Sequence, residues 1–268
     1  MSIGHAKAKS NPDSLRQFLE SELAAARKND NKKLAALIKK TEIPIPDGRS
    51  HAKDTEGSIG SYRQNLKQDE KTEQLLFLEI ARQDGIFVIR NIDDYRAEDR
   101  PDWEVVKTTQ MQAEVFLVEW KPAGTRDLSK GQASGYLVGY FTFIPTKETW
   151  GNLRSPLPSS VALLSPTPIR ACKGETSSPC AVPPRALEAL DPEFSELARK
   201  KGYQGTTILE MTVGIDGRAS DVTVVKFLGY GLIETAVHAV SMWKFEPARL
   251  NSSPVPFRLR VDVSFGLY

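Results

Sequence analysis

Residues 202–268 read GYQGTTILEMTVGIDGRASDVTVVKFLGYGLIETAVHAVSMWKFEPARLNSSPVPFRLRVDVSFGLY, and several periods follow one another along them. Thr207, Leu209, Met211, Val213 and Ile215 alternate with Ile208, Glu210, Thr212 and Gly214, the two-residue period of a half-buried strand. Asp216-Gly217 predicts a type I′ hairpin turn, whose two central positions both need positive φ. Ala219 to Lys226 is the returning strand. Leu232, Ala236, Val240 and Trp243 share one face of a helix opened by Gly229-Tyr230-Gly231 and stopped by Pro247. Trp243 and Phe245 are expected to plug the space between that helix and the sheet. Phe257, Leu259, Val261, Val263, Phe265 and Leu267 then alternate without a miss against Arg258, Arg260, Asp262 and Ser264, predicting a long last strand. Upstream, Asp191 and Pro192 predict the start of a helix through Phe194, Leu197 and Ala198 to Arg199-Lys200-Lys201 and a closing Gly202. Helix, hairpin, helix, strand predicts a three-stranded antiparallel sheet with two helices over 185–268.

The composition changes before this block. Seven prolines fall within 155–184, together with the only two cysteines, Cys172 and Cys180, in CKGETSSPC. This stretch reads as a semi-extended linker. The spacing suits a small disulfide ring, with two unrelated reduced thiols as the other reading; a disulfide requires an oxidising compartment. Two cysteines without a nearby histidine or second pair do not fill a zinc site. Residues 1–10, MSIGHAKAKS, lack the apolar core of a signal peptide. The two observations conflict, and the cysteines favour the oxidising compartment.

Residues 11–154 predict a different domain. Asn11-Pro12-Asp13-Ser14 caps a helix with Leu15, Phe18, Leu19 and Leu23 on one face. Asn29-Asp30-Asn31 breaks it, a shorter helix carries Leu34, Leu37 and Ile38, residues 44–58 read as a loop, and a third helix runs over 61–83. Period two follows in a short buried strand at Ile86–Ile89, a strand at 115–120 apolar on nearly both faces, and the aromatic strand GYLVGYFTFI over 135–144. Helices followed by strands predict an α+β fold with an antiparallel sheet, cone-like from element order alone. Tyr136, Tyr140, Phe141, Phe143 and Trp150 fit sheet core or a pocket lining, and sheet core is the simpler reading.

The bulk numbers limit the function. The chain has 268 residues, 40% hydrophobic and 26% charged, which excludes a mostly disordered class. Its 36 basic and 34 acidic residues give a net charge of +2 with no concentrated basic excess, so nucleic acid is not an expected partner. No apolar run approaches the ~18 residues of a membrane span. His5, His51 and His238 lie far apart, and His238 falls off the apolar helix face. Asp93-Asp94 and Asp99-x-x-Asp102 read as solvated turn carboxylates, and Asn251-Ser252-Ser253 as a plain turn. With no nucleophile elbow, P-loop, dinucleotide glycine pattern or metal spacing, no catalytic residue, cofactor or metal is expected.

Gly205, Asp216-Gly217 and Trp243-Lys244-Phe245-Glu246-Pro247-Ala248, in this order and spacing, resemble the TonB C-terminal domain family over about 190–268. The family's Pro-x-Tyr-Pro entry is reduced here to Pro192 and Phe194. The membrane-spanning helix and long Pro-rich arm of the family's energy transducers have no counterpart in these residues. The resemblance implies a non-enzymatic periplasmic binding protein contacting outer-membrane transporters or other envelope proteins. The expected contact is β-strand addition along Phe257, Arg258, Leu259, Arg260, Val261, Asp262 and Val263, with Arg258 and Arg260 favouring an acidic segment or serving only as a solvated face. The alternatives are a structural envelope protein self-associating through this domain as a homodimer, or a small-ligand or enzymatic role for the N-terminal domain, which resembles no named family.

Overall fold

Asn11 opens the first helix as its pattern demands: its side chain accepts the Ser14 N–H at 2.8 Å, and Pro12 occupies the first turn. The computed structural model describes residues 11–41, 57–94, 114–124, 126–153 and 181–267. They fall into two units, one within Met1–Ala123 and Val138–Val161, the other within Gly124–Leu137 and Ala162–Tyr268.

In the first unit, α1 (Pro12–Arg27) buries Leu15, Leu19 and Leu23. Asn29, at φ 53, ends it, and the Asp30 carboxylate caps α2 (Asn31–Lys40), which buries Leu34 and Ile38. The third helix, α3 (Gly57–Ile80), begins earlier than predicted. Strands β1 (Gly85–Asn91), β2 (Val115–Pro122) and β3 (Gly135–Ile144, in the first unit from Val138 on) follow, and β4 (Thr149–Asn152), which the sequence reading missed, pairs with β3. β1 and β2 are antiparallel, with Phe87 opposite Trp120 and Val88 opposite Glu119. Residues 115–120 are all buried, as an apolar pattern on both faces requires. β1 departs from expectation. It is an edge strand with Ile86 63% exposed, and only Phe87 of its apolar residues is fully buried. Arg16 donates to the Phe87 carbonyl at 2.8 Å, occupying one acceptor of this strand.

The aromatics are core. Tyr136, Tyr140, Phe141, Phe143 and Trp150 are all buried, and Trp150 meets Phe116 and Phe143 edge-on at 5.7 and 5.5 Å. Asp93 and Asp94 lie exposed in a 3-10 turn, whereas Asp99 and Asp102 lie outside the described residues.

In the second unit, β5 (Arg185–Glu188) precedes α4 (Glu196–Lys201), β6 (Gly205–Val213), β7 (Ala219–Lys226) and α5 (Leu232–Met242). Three short strands, β8 (Lys244–Glu246), β9 (Ala248–Leu250) and β10 (Ser253–Val255), lead to β11 (Phe257–Phe265). The expected three-stranded antiparallel sheet is present in the order β7-β6-β11, with the two expected helices. His238 is exposed on α5.

Several local expectations change. α4 is capped by Ser195, not Asp191; the Ser195 hydroxyl also donates to the Tyr230 carbonyl at 2.6 Å. The hairpin turn is not type I′, because of its residues only Gly217 has positive φ, at 73°. Its Gly217 N–H bonds the Gly214 carbonyl, giving the longer loop that closes with a left-handed glycine. A Cβ at Gly217 would sit 2.1 Å from the Phe245 carbonyl oxygen, so this position also demands glycine on space. α5 stops at Trp243, whose backbone turns extended, before Pro247 is reached. Phe245 is buried, and half-buried Trp243 lies with its ring 6.2 Å from it and donates its indole N–H to the Leu190 carbonyl at 2.9 Å. The freed segment forms β8 against β5, and Asn251-Ser252, both at positive φ, turn β9 into β10.

Candidate partner-binding edge

β11 stands at the end of the order β7-β6-β11, and among the described residues it pairs only with β6. One side of its backbone is thus left without a strand partner. Its register is unbroken: Phe257 faces Val213, Leu259 faces Met211, Val261 faces Leu209 and Val263 faces Thr207. Val263 and Phe265 are buried, while Phe257, Leu259 and Val261 are half-buried. The apolar face is therefore sealed toward its C-terminal end and looser toward Phe257, contrary to a strand packed along its whole length.

The C-terminal end is clamped from several sides. Phe265 meets Phe194 edge-on at 5.9 Å, and the Arg199 guanidinium lies 5.5 Å from the Phe194 ring centre. The Thr206 and Ser264 hydroxyls bond across the ladder at 2.9 Å, and Gln204 accepts the Leu267 N–H at 3.1 Å.

The opposite face carries charge that the sequence reading left unpaired. Arg260 stands across from Glu210 and Arg258 across from Thr212. Both guanidiniums converge on the buried Glu210 carboxylate: Arg258 Nε donates to Oε1, and Arg260 Nε donates to Oε2 at 3.1 Å. Burial pushes the Glu210 carboxyl above the usual glutamate range, and the guanidiniums, Arg258 more than Arg260, pull back without cancelling it. The arginines are held by this strand pair, not presented as a solvated face. Glu210 is the participant that sequence reasoning missed. Alternation placed Glu210, Arg258 and Arg260 on polar faces, but only the register shows that they meet. Asp262, opposite Ile208, is the exposed charged residue of the run.

Cys172 and Cys180 lie outside the described residues. Among the described residues no helix is long and apolar enough to cross a membrane, and no cluster of three or more potential ligands for a metal ion occurs.

Residues 191–267 match the family described as "Gram-negative bacterial TonB protein C-terminal". The chain is 31% identical over 103 residues to Protein TonB of Vibrio cholerae, covering 37% of this chain and 42% of that protein. It is 34% identical over 77 residues to Protein tonB2 of Pseudomonas aeruginosa, covering 28% of each. The chain thus spans less than half the length of either relative. The matched segment holds both helices, the hairpin and the closing strand anticipated from the residues: the C-terminal unit carries a TonB C-terminal domain.

Proposed function

We propose that this chain is a non-enzymatic periplasmic binding protein whose C-terminal domain receives an extended segment of an outer-membrane transporter, or of another envelope protein, on the outer edge of β11. The observation that carries the reading is the end position of β11, from Phe257 through Val263, a strand whose ladder with β6 is unbroken on its other side. An unpaired run of N–H and C=O groups accepts a strand, and main-chain bonds then supply most of the affinity. Similarity to the two TonB proteins supports the choice of partner and compartment. The Glu210 clamp revises the recognition chemistry. Arg258 and Arg260 already share the internal Glu210 carboxylate, which leaves only part of their charge for an acidic segment.

Calorimetric titration with synthetic segments from the periplasm-facing part of an outer-membrane transporter tests this. N-methylation at alternate peptide positions should abolish binding in one phase and be tolerated in the other, while shuffled side chains retain most of the affinity. Light scattering of the same samples distinguishes the competing reading. A stable dimer that ignores every peptide would replace strand capture by self-association.

A further inference from the structure

Glu210 lies on β6, one strand in from the β11 edge, and is 1% exposed. In the ladder it stands between Arg260 of β11 and uncharged Thr223 of β7. Its two carboxylate oxygens take different arginines. Oε2 accepts from Arg260 Nε at 3.1 Å, directly across the ladder, whereas Oε1 accepts from Arg258 Nε, whose own register partner is Thr212. Arg258 therefore leans two positions along the strand pair to reach the same carboxylate, a diagonal that long side chains span. Each guanidinium is drawn from the edge strand toward the strand behind it, and the two side chains are only 18% and 17% exposed.

A segment added to β11 would place one set of alternate side chains beside Arg258, Arg260 and Asp262. The other set would lie beside half-buried Phe257, Leu259 and Val261. Main-chain bonds are the same for every sequence, so selectivity has to come from these two rows of side chains. Without Glu210 the polar row would hold two arginines at strand spacing, an attraction for carboxylates placed opposite them. With Glu210 in place both Nε groups are bonded inward, and a partner carboxylate must compete with one that is already buried against them. The competitor also gives up its own hydration, which offsets much of what it would gain. Asp262, exposed and two residues on, adds a negative charge to the same row.

We propose that Glu210 is a specificity-determining, positioning residue of the β11 edge: by holding Arg258 and Arg260 inward across the β6–β11 ladder, it makes the edge nearly indifferent to acidic residues in the incoming segment. This role rests on the reading of β11 as a strand-accepting edge and adds to it the charge that the edge selects.

The test uses the full chain and a synthetic segment from the periplasm-facing part of an outer-membrane transporter. Two alternate residues of the segment are set to Glu or to Gln, in each of the two alternate phases. Affinity is measured by calorimetry at low and high salt, with urea midpoints to establish that each variant is folded. In the better-binding phase the wild type should favour Glu over Gln by no more than about threefold. Glu210→Gln keeps the side chain's size and removes its charge. The preference for Glu should then rise to roughly tenfold, a fewfold for each new opposite-charge pair, and should shrink again at high salt. Arg258→Gln reports independently of how well Glu210→Gln folds, and should leave the wild-type preference within about twofold of its value. A Glu210 with only a structural role would shift the urea midpoint and every affinity together without moving the Glu-to-Gln ratio. That result, a wild type that already favours Glu strongly, or an Arg258→Gln variant that loses such a preference, would overturn the role while leaving strand capture intact. Segments that bind no form of the protein, or that slow exchange only outside β11, would instead remove the reading of the edge, and this role with it.

Discussion

Glu210 gathers two arginines that lie some fifty residues later in the chain, and its burial makes the arrangement sensitive to both partners and pH. Replacing Glu210 by Leu strands two guanidiniums that are 18% and 17% exposed, and should cost roughly 3–5 kcal/mol in urea denaturation. Replacing the three together with Leu, Met and Leu should recover most of that loss, because an apolar trio carries no desolvation penalty. A triple variant as unstable as the single one would mean that the clamp does more than neutralise itself. The pH effect has a defined sign. With the folded carboxyl raised above its unfolded value near 4.5, the linked stability is complete below that value and is lost as pH rises through the folded one. Wild-type urea midpoints should therefore decline over that window, and Glu210→Gln should flatten the decline. Gly217 gives a second residue-level test. Alanine there must adopt φ 73 and meet the Phe245 oxygen, so a loss of about 1–3 kcal/mol is expected with an unchanged m-value.

At the scale of elements, alternation and helical spacing located every long element of the C-terminal unit, because each keeps its apolar residues on one face. What they missed were short pieces whose reasons lie elsewhere in the chain. β8 exists because α5 ends at Trp243 and β5 is there to receive it. The start of α4 was misplaced for a similar reason. Asp191-Pro192 has good capping chemistry, yet Ser195 wins because its hydroxyl also ties down Tyr230 beside Gly231, whose own Cβ would fall 2.9 Å from Ser195 Oγ. Ser195→Ala should thus cost about 1 kcal/mol in thermal or chemical unfolding, while Asp191→Ala should change little. The reverse order would restore the sequence-based boundary. The candidate edge was legible as a strand with two distinct faces. Its place at the end of the sheet and the Glu210 clamp were not, since both depend on pairing between segments far apart in sequence.

Across the whole molecule, we propose that 155–184 is a linker, and that Cys172 and Cys180 close a ring in it. The seven intervening residues let the two Cα atoms approach the ~4.4–6.8 Å that a bridge requires. Closing so short a ring contributes about 2–3 kcal/mol at most. Non-reducing mass spectrometry of the exported protein should find the pair oxidised, and two free thiols would remove the cysteine argument for an oxidising compartment. Val182 exchanges both backbone bonds with Arg249, at 2.8 and 3.0 Å, so a C-terminal piece should begin before Ala181 to keep that bridge. The central claim concerns β11 and is tested most directly by hydrogen exchange on the full chain with and without a transporter-derived segment. The account predicts slower exchange at alternate amides of Phe257–Phe265, those facing away from β6, with 222–225 of β7 unchanged. Binding that leaves β11 unaltered, or protects β7 instead, would contradict it.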